Sequence, residues 1–218
     1  NNATGIYQSL SNKFSAIETP TWALLLAQTC RSSGFDVSII DTLAENLSDQ
    51  DTLERIKKTN PKNIIFVVYG QNVNASTTNM SGATRLSNFI KKNINKRISY
   101  IGSHVQALPI QTLKDENSID LVFTNEGVYA LQNLLQKDEN FIEYEQISGI
   151  AYRDLDNNIQ ITKPEKIVPQ DRLDIDLPGY AWDLLPFENK PFDLYRAPMW
   201  HAEYKSENRS PYAAIQTS

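Results

Sequence analysis

Cysteine, histidine and positive charge are what this 218-residue sequence has least of. It holds one Cys and two His, and 21 Lys+Arg against 26 Asp+Glu leave a net charge of −5. Cys30 alone cannot make an internal disulfide, a CxxC zinc site or an iron–sulfur cluster. The acidic balance excludes the concentrated positive surface that nucleic acids and anionic membranes require, so neither is expected as a partner. No apolar run approaches the roughly 20 residues that span a bilayer. The opening Asn1-Asn2-Ala3-Thr4-Gly5 is polar and has no signal-peptide core, so a cytoplasmic location is expected. It also lacks an initiator Met, which makes a cropped chain the expectation. There is no GxSxG, no P-loop and no nucleophile–base pair, and Gly70 and Gly82 are wrongly spaced for a phosphate loop. Hydrophobic residues at 40% and charged residues at 22% suffice for a real core.

The order of elements carries the fold. Thr19-Pro20 reads as the start of a helix whose Trp22, Leu25, Leu26 and Cys30 share one face, with Gly34 as the stop. Val37 to Ile40 is predicted as a short strand. Ser48 to Asp51 caps a second helix carrying Leu53 and Ile56, which ends before Pro61. Ile64 to Tyr69 is a continuous apolar run of the kind buried on both faces of a parallel sheet. A helix with Ala83, Leu86, Phe89 and Ile90 follows, then a strand at Ile98–Ile101, a short helix with Leu108 and Leu113, a strand at Leu121–Phe123, and a helix with Val128, Leu131, Leu134 and Leu135. Strand–helix alternation of this length implies an α/β, flavodoxin-like (Rossmann-like) doubly wound parallel sheet. Residues 1–140 form that domain in this reading. Residues 141–168 hold a β-hairpin turning at Asp154–Asn158, and 169–218 a Pro- and aromatic-rich linker too apolar to be a solvated tether.

A sheet of order 2-1-3-4-5 begins with a strand, whereas this chain begins with a loop and a helix. An apolar first strand is therefore expected directly before Asn1, with residues 1 to about 18 as the loop leaving it. Ligands of open α/β sheets bind outside the carboxyl ends of the strands where strand order reverses. That crevice would be lined by Asn2, Thr4 and Gly5, by Tyr69, Gly70, Gln71, Asn72 and Asn74, by Gly102, Ser103 and His104, and by Asn125, Glu126 and Gly127. These amides, hydroxyls and glycines suit a polar ligand held by neutral hydrogen bonds, and carry too little positive charge for a triphosphate.

Four ordered segments are similar to one family. Gly102-Ser103-His104-Val105-Gln106-Ala107-Leu108-Pro109 resembles the GGxHxTxxP stretch of cobalamin-binding domains in radical S-adenosylmethionine enzymes. Asp120 to Gly127, followed by Leu131 and Leu134-Leu135, resembles that family's DxVxxGEGExxxxxLL segment. Ile147 to Arg153 resembles its xPGIAYR, and Leu177 to Pro186 its LPxPAWDLLP linker. The matches cover about residues 98 to 186. The resemblance implies that this chain binds cobalamin, a corrinoid, through the crevice residues above. It also implies that the linker leads into the protein's own C-terminal catalytic barrel, where a CxxxCxxC triplet holds a [4Fe–4S] cluster used with S-adenosylmethionine. Those cysteines are not in this sequence. Methyl transfer or a radical rearrangement is the implied chemistry of the longer protein. The family's doubled glycine is Gly102-Ser103 here, and Gln106-Ala107 stand where its Thr belongs. No DxHxxG is present, which implies a cobalt without a histidine ligand on its lower face.

Other readings of the same residues stand beside this one. His104 either meets the corrinoid or partners neighbouring loop backbone. Asn72, Asn74, Ser76 and Thr77 either donate to corrin amides or cap the following helix. Glu126 suits the first turn of a helix by charge, and Gly127 suits close packing. Cys30 reads as inert core and His201 as structural or exposed. A ligand-free scaffold for the barrel is the alternative function. A free-standing flavodoxin-like or receiver domain is disfavoured, because no Asp follows the Ile64–Tyr69 strand and Asn1 to Gly5 offers only Thr4 for a phosphate.

Overall fold

The computed structural model describes residues 17–69, 73–137, 141–189, 194, 195 and 213. Helix α1 (Thr21–Ser32) leads to α2 (Asp49–Thr59), strand β1 (Asn63–Val67), α3 (Val73–Asn93) and β2 (Arg97–Ile101). Two short helices, α4 (Ser103–Ala107) and α5 (Pro109–Asp115), precede β3 (Leu121–Phe123) and α6 (Val128–Gln136). Beyond the 3₁₀ turn Phe141–Gln146 come β4 (Ile150–Arg153), β5 (Ile159–Ile161) and a short helix, α7 (Leu173–Asp176).

The five strands form one sheet in the order β1-β2-β3-β4-β5. β1, β2 and β3 run parallel, and β4 and β5 add antiparallel. The hairpin is therefore an extension of the main sheet, with Val122 opposite Ala151. Alternation along the strands sends side chains to two cores. Ile101, Leu121, Phe123 and Tyr152 pack with Leu26 and Cys30 of α1 and Leu131 and Leu134 of α6. Ile98, Tyr100, Val122 and Ala151 pack with Ile56 of α2, Leu86 and Ile90 of α3 and Leu113 of α5. Helices thus cover both faces, as a doubly wound α/β fold requires.

Local signals explain several boundaries. Ser48 and Asp51 form a reciprocal capping box at the start of α2, and Asn60 ends that helix in the left-handed conformation. α1 starts at Thr21 with Pro20 in the cap position and no side-chain cap bond, one residue later than the sequence suggested. Two expectations change more. Val37–Ile40 carries no strand ladder, and β1 is half-buried at every position, where burial on both faces was expected. Both departures have one cause: no strand pairs with β1 on its outer side among the described residues.

The described part of the linker folds back on the domain. Leu185, Leu194 and Tyr195 form a third core with Leu24 and Ala44, flanked by Tyr180, Trp182 and Phe187. The Ala181 N–H donates to the Leu24 carbonyl, Thr29 Oγ1 donates to the Asp176 carbonyl at 2.9 Å, and Arg31 pairs with Asp183 at 2.8 Å. The aromatic richness of this stretch is thereby accounted for: it is the side of a core, laid along α1.

Candidate functional site

The carboxyl ends of β1, β2 and β3 bring three of the predicted segments together. Tyr69 follows β1, Gly102-Ser103-His104 follow β2 and Asn125-Glu126-Gly127 follow β3. Asn2, Thr4, Gly5, Gly70, Gln71 and Asn72 lie outside the described residues, and Asn74 is placed only as a position in the first turn of α3.

Gly102 is where β2 turns into α4. A Cβ added there would sit 2.1 Å from the Val68 carbonyl oxygen, so the glycine is demanded by the neighbouring strand end. Val68 is itself held by two hydrogen bonds. Its N–H donates to the Ile101 carbonyl at 2.7 Å, and Ser76 Oγ donates to its carbonyl at 2.7 Å. Ser76 Oγ also accepts from the His104 N–H at 3.4 Å. The His104 ring meets Thr77 Oγ1 through Nδ1 at 3.1 Å. This contact fixes the ring orientation and leaves Nε2 as the nitrogen not held by Thr77.

Gln106 joins the first and third segments. Its amide donates to the Tyr69 hydroxyl at 2.7 Å and to the Asn125 carbonyl at 2.6 Å. Burial pushes the Tyr69 phenol up to about 12, against the opposing effect of the Gln106 hydrogen bond, so Tyr69 is a neutral donor at any ordinary pH. Trp22 of α1 packs edge-on to Tyr69 with ring centroids 6.1 Å apart, and its Nε1 donates to the Glu126 carbonyl at 3.0 Å.

The side chains of the loop after β3 bond toward the linker, while its carbonyls meet Gln106 and Trp22. Glu126 Oε1 accepts from the Val168 N–H at 2.6 Å, and Asn125 Nδ2 donates to the Glu165 carbonyl at 3.0 Å. Asn125 Oδ1 also accepts from the Gly127 N–H. Gly127 has φ +83° and no room for a side chain, since a Cβ would lie 2.2 Å from Ile101 Cδ1. Asn125 and Glu126 thus spend these groups on the segment entering the linker. Neither role shows in the local sequence, because the partners lie about 40 residues away. Gln106 was noticed in the sequence only as a departure from a Thr, and its bridge depends on two loops that no periodicity brings together.

The rim is chemically uniform. Tyr69, Ser76, Thr77, Ser103, His104 and Gln106 supply hydroxyl, imidazole and amide groups, and the stretches 102–108 and 124–127 contain no Lys or Arg. Leu108 and Ile110 stand exposed beside it. A neutral polar rim with an apolar flank matches a large ligand edged by amides better than a polyanion. No group of three or more metal-ligating side chains occurs among the described residues. Cys30 is buried, and burial raises its thiol to about 11, which makes it core rather than nucleophile.

The B12 binding domain family model matches residues 8–135, which include the rim segments at Tyr69, Gly102–His104 and Asn125–Gly127 but not Asn2, Thr4 and Gly5. The chain belongs to that family, and its flavodoxin-like α/β sheet is the fold the family shares. Among individual proteins, an uncharacterized methyltransferase of Pyrococcus horikoshii is 31% identical over 160 residues, 72% of this chain and 32% of its own length. The chain thus spans about a third of that relative. Two solved structures share the fold. The cobalamin-dependent S-adenosylmethionine radical enzyme OxsB, with aqua-cobalamin and S-adenosylmethionine bound, superposes with a TM-score of 0.57 at 18% identity. That match covers 80% of this chain and 23% of OxsB. The radical S-adenosylmethionine methyltransferase TsrM of Kitasatospora setae, with tryptophan and a S-adenosylmethionine analogue bound, gives 0.54 at 13% identity over 66% of this chain and 27% of TsrM.

Proposed function

We propose that this chain is the cobalamin-binding region of a larger radical S-adenosylmethionine enzyme, in which the bound corrinoid serves methyl transfer. The observation that carries the reading is the neutral rim at the carboxyl ends of β1 and β2, where Tyr69, Gly102–His104 and Gln106 meet inside the segment matched to the B12 binding domain family. Corrin side chains are amides, and hydroxyl, imidazole and amide groups pair with amides without the desolvation cost of a buried charge. When bound, cobalamin supplies a cobalt centre able to carry a methyl group.

The chain's own residues bind and orient. His104, its ring held by Thr77, presents Nε2 to the ligand, with Ser103 beside it at the start of α4. Gln106 keeps Tyr69 and the β3 loop at a fixed separation. Asn125 and Glu126 act through the linker, so that a barrel attached beyond residue 218 faces the rim in one orientation. A [4Fe–4S] cluster and S-adenosylmethionine belong to that barrel in this proposal. With no DxHxxG in this sequence, His104 and its neighbours would hold the corrinoid through its periphery rather than through the metal.

A ligand-free scaffold is the second reading, and one observation favours it: Gln106, Asn125 and Glu126 all make hydrogen bonds within the chain. Reconstitution with hydroxocobalamin followed by gel filtration separates the two. Corrinoid absorption co-eluting with the full-length protein, and diminished in His104→Ala, supports binding. Elution free of corrinoid refutes it in favour of the scaffold.

A further inference from the structure

Gln106 lies two residues beyond His104 on α4, and side chains two apart leave a helix on nearly opposite sides. His104 turns to Thr77 of α3, while Gln106 turns to Tyr69 and the loop after β3. Chemistry fixes which way the Gln106 amide points. The Asn125 carbonyl can only accept, so the group that meets it at 2.6 Å is the Gln106 NH2. The same nitrogen lies 2.7 Å from the Tyr69 hydroxyl and spends its second hydrogen there. An amide nitrogen does not accept, so the Tyr69 oxygen is the acceptor and its own proton points away from Gln106. Two capacities are left over at the rim, the Tyr69 O–H as donor and Gln106 Oε1 as acceptor. Among the described residues neither has a partner, and Gln106 Oε1 is not closed off from solvent.

Both groups are held in place. Trp22 packs edge-on to the Tyr69 ring, and Asn79 Nδ2 donates to the Tyr69 carbonyl at 3.2 Å. Their electrical surroundings disfavour an anion. The Glu126 carboxylate is close enough to push the Tyr69 phenol upward, as a neighbouring negative charge does, and 102–108 and 124–127 hold no Lys or Arg. A donor beside an acceptor complements a primary carboxamide, whose C=O accepts and whose NH2 donates. A carboxylate has acceptors only and would set its charge against Gln106 Oε1. On the footing of the corrinoid function given above, we propose that Tyr69 and Gln106 form a carboxamide-selective subsite for one peripheral side chain of the corrinoid. The Tyr69 O–H donates to the amide carbonyl, and Gln106 Oε1 accepts from the amide NH2. Gln106 is the residue that sets specificity, because the Tyr69 O–H serves an amide and a carboxylate alike. The ligand is thereby narrowed to corrinoids amidated at that position. The preference is about 10- to 100-fold, the cost of covering an acceptor that has lost its donor.

Equilibrium dialysis of the full-length protein at about pH 8, where carboxyl groups are ionised, tests the subsite. The probes are hydroxocobalamin and its isomeric monocarboxylic acids, each with a different peripheral amide hydrolysed. One isomer should bind about 10- to 100-fold more weakly than hydroxocobalamin, and the others within about threefold of it. Gln106→Met should bring the weak isomer within about threefold of hydroxocobalamin. Tyr69→Phe keeps the ring against Trp22 and should weaken both ligands alike, by about 3- to 10-fold. Equal binding of every isomer by the unmodified protein, or a preference undiminished in Gln106→Met, overturns the inference and leaves corrinoid binding standing. Failure to bind hydroxocobalamin itself overturns both. Where Gln106→Met does not fold, the unmodified protein's affinities and Tyr69→Phe decide: an unchanged affinity for hydroxocobalamin in Tyr69→Phe overturns the subsite.

Discussion

Replacing Gly102 by Ala should destabilise the domain whether or not a ligand is present. The added methyl would lie 2.1 Å from the Val68 carbonyl oxygen and 2.8 Å from its carbon. Ordinary carbon–oxygen contact needs about 1 Å more. The obstacle is backbone, held by the Ile101 carbonyl through the Val68 N–H and by the Ser76 hydroxyl, so no rotamer change relieves it. Either the β1–β2 ladder opens at its carboxyl end or α4 shifts with His104. Overpacking against a well-fixed wall costs about 3 kcal/mol, which for a domain of this size lowers Tm by about 6–12 °C. Gly82 supplies the control. It lies inside α3 with nothing within 4 Å of an added Cβ, so Gly82→Ala gains helix propensity and should raise stability by about 1 kcal/mol. Thermal unfolding followed by circular dichroism, without corrinoid, reads both variants. Opposite signs are expected. An unchanged Tm for Gly102→Ala with loss of corrinoid retention alone would show that the glycine answers to the ligand and refute the packing argument.

Glu126→Ala leaves the Val168 N–H without its acceptor, at a cost of about 1–3 kcal/mol localised to the linker entry; trypsin should then cut faster after Lys166, while Glu126→Gln, which keeps an acceptor, should cut near the native rate. An unchanged rate in the Ala variant would free Glu126 for a ligand role. Acid sensitivity should centre on Asp176, whose carboxyl is held down at about 2 by hydrogen bonds from Arg172 and then Tyr129. Because the folded value lies below the unfolded one, its stabilisation is present above about pH 4 and is lost as pH falls from there to about 2. Asp176→Asn should flatten the stability–pH curve in that window, and a curve of unchanged slope would contradict the assignment. Asp41 acts with the opposite sign. Burial pushes its carboxyl up despite hydrogen bonds from Ala44 and Tyr195, so its ionisation disfavours folding as pH rises through and above its ordinary range; Asp41→Asn should remove that decline, as a urea midpoint series across pH would show.

The sequence by itself determined the alternation of helices and strands, and with it the class of fold. Local chemistry suffices for that: the Ser48 capping box, the left-handed Gly34 and Gly127, and the apolar runs at Ile64, Ile98 and Leu121 act over a few residues, and the structure places elements at each. It also named the strand ends at which a ligand is proposed to sit, since strand ends follow from strand positions. Only the tertiary structure decided which rim residues are spent internally. Glu126 and Asn125 read as ligand groups by type but bond to Val168 and Glu165, and Gln106 ties Tyr69 to Asn125, pairings that depend on how distant loops meet. The same holds for Val37–Ile40, whose strand-like residues form no strand. A β-strand is completed by its neighbour's hydrogen bonds rather than by its own composition, so pattern can name a candidate strand but only pairing makes it one.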